Sequence, residues 1–369
     1  MQPAFILQLS CTFALVFIFT LLINPLASRI ALVDKPDRQR KDHNGAIPLT
    51  GGIAIYLGLL FFLLLYDVDG ENITFLLATG LMVLAGALDD RFNLNITLRI
   101  ALEVLAASIM VFGANLWVGN LGNLLGTGEF HMPFWIAYPF TVVAVFGIVN
   151  AINMIDGLDG LAGGVTLFAL MLLILVTQNS PALAEFGGCL IGGLLAFLLF
   201  NFRLHKSLPK IFLGDSGSKL LGLALVWIVI ETAQTDAASV YGIQPATALF
   251  IMGLPLIDMV ATTVRRVKKG AHPFHADRTH IHHILQRAGY SKSTVLSLIL
   301  ALAMAINLLG IFLQYLQVPE VMQFVIFFAI YFLYSATIQH AWKLSKWLKN
   351  SSIETVDRAA TCEAKPTGE

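Results

Sequence analysis

This sequence is short of charge. Asp, Glu, Lys and Arg make up only 12% of its 369 residues, about half the share of a soluble domain. So little polar surface cannot coat a water-soluble globule. Apolar residues supply 57% and the mean hydropathy is +0.77, which predicts a polytopic membrane protein. Cysteine is scarce too. Cys11 and Cys189 fall in apolar runs and Cys362 in a polar tail, so they form neither a disulfide framework nor a CxxC metal site. Net charge is zero and no basic run is interleaved with aromatics, which argues against nucleic acid as a partner. No internal repeat of the kind many transporters carry is visible.

What is present is a series of apolar runs. They lie near 4–26, 48–66, 74–90, 99–117, 134–152, 160–178, 184–201, 213–233, 244–264, 293–315 and 320–341, each close to the length that crosses a bilayer. The fold class expected is an all-α membrane bundle of about 10–11 transmembrane helices. Ala4 to Leu26 is too long for a signal-peptide core and has no positive charge before it, so it reads as the first span. Positive charge then alternates. Arg29, Lys35, Arg38, Arg40 and Lys41 follow the first run, and Arg91 and Arg99 the third. Arg203, Lys206 and Lys210 follow the seventh, Arg265 to Lys292 the ninth, and Lys343 to Lys365 the eleventh. The loops between lack Lys and Arg entirely. The positive-inside rule therefore predicts a periplasmic N-terminus and a cytoplasmic C-terminus. Gly119 to Phe134, an outside loop with glycine punctuation, is expected to form a small hairpin. Residues 1–345 read as a single integral-membrane domain. Residues 346–369 read as a polar cytoplasmic tail, expected to be disordered.

The acids gather on the cytoplasmic side. Asp89 and Asp90 end the third run, and Asp215 opens the eighth within Leu213-Gly-Asp-Ser-Gly217. Between them stands Asn150-Ala-Ile-Asn-Met-Ile-Asp-Gly-Leu-Asp-Gly160, with Asn150, Asn153, Asp156 and Asp159 three residues apart. On a helix that row drifts by about 60° per step, and a break at Gly157 and Gly160 would keep it facing one way. Helix-end capping explains the same residue types. A hard cation with a phosphorylated substrate also explains why carboxylates and amides sit together, and Asn153 with Asp215 could supply its protein ligands. The glycine-rich start of the sixth run adds backbone N–H groups for an anion.

Other charges have local readings. Glu103, one turn after Arg99, is placed to pair with it, and Lys219 follows Asp215 in the favourable acid-first order. Asp258, after Pro255, reads either as part of a kink or as support for the site. The longest cytoplasmic loop carries His272-Pro-Phe-His-Ala-Asp277-Arg278-Thr-His280-Ile-His282-His283. It reads as a basic lipid anchor, as a zinc site without cysteine, or, preferably, as a cationic clamp on phosphate with Arg278 and the histidines as donors.

Gly86-Ala-Leu-Asp-Asp-Arg91, the Asn150–Gly160 stretch, the Leu-Gly-Asp-Ser-Gly run and His280-Ile-His-His283 together resemble the polyprenyl-phosphate N-acetylhexosamine 1-phosphate transferases. The likeness runs from Val33-Asp-Lys-Pro36 to Arg287-Ala-Gly289. Pro273 to His283 is similar to the branch that handles N-acetylglucosamine, and departs from the muramoyl-pentapeptide branch with its run of three histidines. The resemblance implies transfer of GlcNAc-1-phosphate from UDP-GlcNAc to undecaprenyl phosphate with release of UMP. It implies Mg2+ or Mn2+ as cofactor, a bacterial inner membrane, and the first membrane step of O-antigen or enterobacterial common antigen type polysaccharide synthesis. By that likeness Asp89, Asp90, Asp156 and Asp159 are the catalytic candidates. Asn153 and Asp215 are the metal ligands. Lys41, Arg99, Asn150, Asp277, Arg278, His280, His282 and His283 are the substrate-binding residues. Asn93 stands where many relatives have a third acid. The expected partners are the two substrates and the lipid bilayer; pairing as a homodimer stays open.

The implied chemistry is phosphoryl transfer, in which positioning and charge neutralisation matter most. A lipid phosphate with a second pKa near ~6 is mostly dianionic at neutral pH, which favours direct attack over a covalent aspartyl-phosphate route. The competing class is an ion-coupled transporter, whose ionisable residues would sit near mid-membrane on broken helices.

Overall fold

The computed structural model describes residues 3–35, 45–66, 69–177, 183–234, 242–272 and 280–339. Its helices are α1 (Pro3–Arg29), α2 (Gly51–Tyr66), α3 (Gly70–Phe92), α4 (Ile96–Gly113), α5 (Phe134–Ile155), α6 (Leu161–Thr177) and α7 (Gly188–Asn201). They continue with α8 (Gly214–Gln234), α9 (Pro245–Ile251), α10 (Gly253–Lys268), α11 (Ile281–Arg287), α12 (Lys292–Tyr315) and α13 (Glu320–Gln339). A two-residue pair of strands, β1 (Val33–Asp34) and β2 (Ile47–Pro48), is antiparallel. Every apolar run expected from the sequence is a helix. Among the described residues, seven helices are long and apolar enough to cross a membrane, and three shorter apolar ones fill the bundle. The ninth run departs from expectation. It bends by 77° between α9 and α10, because Pro255 has no N–H for the carbonyl of Ile251 and Gly253 loosens the chain just before it.

Helix α8 is the centre. Its apolar window is 94% buried, against 22% for α1 and α13 at the rim. An apolar helix buried all round sits inside the bundle, and those half-exposed face lipid. Close packing against α3 needs bare backbone. A Cβ on Gly86 would lie 2.3 Å from Ser216 N, and one on Gly52 would lie 2.1 Å from Gly217 N, so both elements touch α8 main chain to main chain.

The connections are chemically explicit. Asp69 caps α3 by accepting from Asn72 N at 2.7 Å, and Asn93 ends it in the left-handed region at φ 50°. Asn95 then caps α4 by accepting from Leu98 N at 2.8 Å. The expected hairpin forms, with Leu121 N donating to Phe130 O and Phe130 N to Gly122 O, each at 3.0 Å. Gln234 at the end of α8 latches it by accepting from Gly119 N and Asn120 N, both at 2.8 Å. Cys11 and Cys189 remain thiols. Lys41, Asp277, Arg278, Cys362 and the tail 346–369 lie outside the described residues.

Candidate active site

The acidic motifs meet at one end of the bundle, where α3 and α5 finish and α6 and α8 begin. Gly214, at φ +72°, turns the chain into α8. The first N–H groups of a helix have no partner within it. Asp90 Oδ2 accepts one of them, from Asp215 N, at 2.9 Å. A side chain on Gly214 would strike that same carboxylate, with its Cβ 2.7 Å from Asp90 Oδ2. Asn153 faces α8 from the last turn of α5. Its Nδ2 donates to Asp215 Oδ1 and to Ser218 Oγ, each at 2.9 Å. Helix α5 stops at Ile155, and Gly160 at φ +74° turns into α6. Asp156 lies in that break, where burial and then the neighbouring Asp215 and Asp159 push its carboxyl up to about 8. Asp159 faces outward enough to bind Lys210 Nζ.

The row Asn150–Asn153–Asp156–Asp159 therefore does not face one way. Only Asn153 and Asp156 address Asp215. Asn150, one turn deeper, donates through Nδ2 to Glu103 Oε2 at 2.7 Å and to Phe146 O at 2.9 Å. Its amide nitrogen serves the bundle interior.

Asp89 is caged. Arg99 Nε lies 3.1 Å and Lys219 Nζ 3.9 Å from its Oδ2, and Leu94 N donates to its Oδ1 at 3.0 Å. The local pairings expected from spacing are corrected here. Glu103 pairs with Lys219 at 3.2 Å, not with Arg99. Lys219 reaches back to Glu103 and Asp89, because its side chain points into the α3–α4–α8 junction where it is 0% exposed. An (i, i+4) spacing allows a pair on an open helix face, but buried carboxylates on other helices compete for the same cation more strongly.

The histidine segment forms the opposite wall. His280 caps α11 through its main chain and is buried. Its Nδ1 lies 2.7 Å from Asp258 Oδ2 and its Nε2 lies 3.2 Å from Arg266 Nη2. Tyr334 OH donates to Asp258 Oδ1 at 2.6 Å. This decides the role of Asp258, which supports the histidine segment. His282 stacks on His280 with ring centroids 5.9 Å apart and 6° between planes. A Cβ on Gly157 would lie 2.2 Å from His282 Nε2, so this ring abuts the main chain beside Asp156. Burial, then His283 and His280, hold its pKa down to about 3, and a neutral ring is no cationic clamp. His283 is half-exposed beside it, with centroids 4.1 Å apart.

The structure brings Asp89, Asp90, Asn153, Asp156, Asp215 and Arg99 together. Sequence reasoning missed Ser218 and Tyr334 as partners of the site. Ser218 had a signal, lying one turn after Asp215 in a Gly-Asp-Ser-Gly-Ser run. Tyr334 had none, because 76 residues separate it from Asp258.

Residues 72–233 match the family described as glycosyl transferase family 4. Over 347 residues the chain is 38% identical to the undecaprenyl-phosphate alpha-N-acetylglucosaminyl 1-phosphate transferase of Salmonella typhi, covering 93% of each. It is 36% identical to the protein of that name from Escherichia coli K12, covering 93% of this chain and 95% of the relative. A third, from Haemophilus influenzae, is 35% identical over 93% of this chain and 96% of its own.

Proposed function

The chain belongs to glycosyl transferase family 4, and from that premise we propose that it transfers GlcNAc-1-phosphate from UDP-GlcNAc to undecaprenyl phosphate. The products are undecaprenyl-diphosphate-GlcNAc and UMP. The observation that carries this reading is the convergence of Asp90 and Asn153 on Asp215, each bonded to it at 2.9 Å, beside an acid-rich break and a histidine wall. In the reaction an oxygen of the lipid phosphate bonds to the β-phosphorus of the nucleotide sugar. The bond from that phosphorus to the bridging oxygen breaks, and UMP leaves with the oxygen and its electron pair.

The residues suit Mg2+ or Mn2+. Asn153 and Asp215 would hold the ion through hard oxygen donors, with Asp156 adjacent. Among the described residues no group of three or more His, Cys, Asp or Glu encloses a metal. Mg2+ takes one or two carboxylates and completes its shell with phosphate and water. A divalent ion held by Asn153 and Asp215 would supply neutralisation of the charge that develops on the diphosphate. The protein groups do the positioning. Ser218 and Asp215 orient the Asn153 amide, and Asp90 holds the first turn of α8. Asp89, fixed between two cations, orients Arg99, whose side chain is 31% exposed and so placed to meet an anionic substrate.

Lys210 bonds Asp159 and Arg266 lies against His280, so positive charge gathers at the same end as the acids. We place that end in the cytoplasm of a bacterial inner membrane. Ready labelling of a single cysteine at Lys269 by an impermeant reagent on intact cells would reverse the orientation. The decisive assay is UMP release by the purified protein in bilayers, expected only when UDP-GlcNAc, Mg2+ and undecaprenyl phosphate are all present. Exchange of labelled UMP into UDP-GlcNAc without lipid would replace direct attack by a phospho-enzyme route.

A further inference from the structure

The contact between Asp258, Tyr334, His280 and Arg266 specifies more than a fold. Arginine only donates hydrogen bonds and a carboxylate only accepts them. Arg266 Nη2 lies 3.2 Å from His280 Nε2, so that nitrogen is the acceptor and carries no proton. Nδ1, 2.7 Å from Asp258 Oδ2, must then carry the proton and donate it. Tyr334 occupies the other carboxylate oxygen at 2.6 Å. Both ring nitrogens of His280 are spent on the protein, and none is left for a phosphate. The four groups come from α10, α11 and α13, and Asp258, His280 and Arg266 are each at most 5% exposed. Desolvated polar contacts of this kind are costly to break.

We propose that Asp258 and Tyr334 are positioning residues that hold His280 as its neutral Nδ1–H tautomer, making the ring a strut between α10 and α11 that sets His282 against the turn at Gly157. The strut acts through contact. The ring of His280 lies parallel to that of His282 and offset from it, with centroids 5.9 Å apart, and His282 Nε2 meets the main chain beside Asp156. The bend between α9 and α10 tilts α10 away from the axis of α9, and α10 carries Asp258 and Arg266 to this corner. The role of this strut in turnover rests on the transfer reaction proposed above, whereas its tautomer does not.

The first test is therefore spectroscopic. The full chain, labelled with ring-15N histidine and reconstituted in lipid bilayers, should show a neutral histidine protonated at Nδ1. That signal should vanish in His280→Asn. A cationic or Nε2-protonated ring at this position would overturn the assignment without any assay of turnover. The second test separates a strut from a substrate ligand. The side-chain N–H of asparagine mimics imidazole Nδ1–H, so His280→Asn should keep kcat/KM within about tenfold of wild type. His280→Ala and Asp258→Leu should each lose about a hundredfold, and the double variant should lose no more than either alone, as members of one unit do. Tyr334→Phe, which removes only a hydroxyl, should give an intermediate loss carried by kcat with KM unchanged. An inactive His280→Asn, or additive losses in the double variant, would refute the strut. If wild type releases no UMP while the tautomer is as stated, the proposed reaction fails and the strut stands.

Discussion

The two ends of this bundle are both polar and are built on opposite terms. At the hairpin end the groups are mostly amides, and they satisfy each other. Gln234 accepts from Gly119 N and Asn120 N and donates to Asn120 O. Gln323 donates to Gln244 and to Val318 O, and Thr247 donates to Gln323. Acids there are bonded as well: Glu320 accepts from Asn123 N at 2.8 Å and Glu129 from Asn120 Nδ2 at 3.1 Å. At the acidic end, Asp89 Oδ2, Glu103 Oε1 and Lys219 Nζ meet as buried charges without a directional hydrogen bond, and His282 Nδ1 has no partner, among the described residues. Polar groups that close on one another hold a structure together. Charges gathered at a cost and left incompletely bonded mark the end shaped for something else.

The largest expected effect sharpens that contrast. Asp215→Ala should lower turnover by about a thousandfold or more while the protein still inserts, because it removes the group that Asn153 and Asp156 address. Asn153→Ala should lose less and raise the Mg2+ concentration needed for half-maximal rate. An unchanged metal profile in both would break the distinction between the ends.

Next comes the buried cation. Lys219→Met leaves Glu103 and Asp89 short of a counter-charge in the interior, and breaking such a pair costs about 3–5 kcal/mol. Adding Glu103→Gln should restore most of the stability, since an apolar and amide pair needs no charge balance. Thermal unfolding in detergent is the measurement. A single variant as stable as wild type would show that Lys219 is not a structural counter-ion.

A smaller effect is expected at the other end. Gln234→Ala strands two backbone N–H groups and should destabilise by about 1–3 kcal/mol, with kcat and KM unchanged for the folded enzyme. A kinetic defect there would mean that the amide end also serves catalysis.

The smallest effect is a pH dependence. The folded pKa of His282 is held down to about 3, while the unfolded ring titrates near ~6.5. The unfolded chain therefore takes up a proton first as pH falls, and stability declines below about 6.5 towards 3. His282→Asn should remove this part of the decline. Melting temperatures at pH 7.5 and 5.5 for both proteins test it, and parallel shifts would count against a neutral, buried His282.

Much of this protein was legible in the sequence because a bilayer imposes simple rules. A backbone in hydrocarbon must satisfy its own hydrogen bonds, so apolar runs such as 74–90 and 213–233 had to become helices like α3 and α8. Lys and Arg confined to alternate loops placed every acidic motif on one side, and glycines next to Asp156, Asp159 and Asp215 marked where helices would break. Spacing misled where partners came from elsewhere. Lys219 is one turn from Asp215, yet Glu103 and Asp89 take it. Asn150 shares the period of Asn153, yet it turns inward to Glu103.

Composition, periodicity and charge alternation alone determined the helices, their order and the end at which the chemistry gathers, because each is a property of one segment against its solvent. Only the tertiary structure decided which cation meets which carboxylate, that His280 is held by Asp258 and Arg266, and that Tyr334 belongs to the same corner. Those choices depend on distances between helices far apart in the chain. In a buried, weakly screened interior a difference of an ångström or two decides which pair forms.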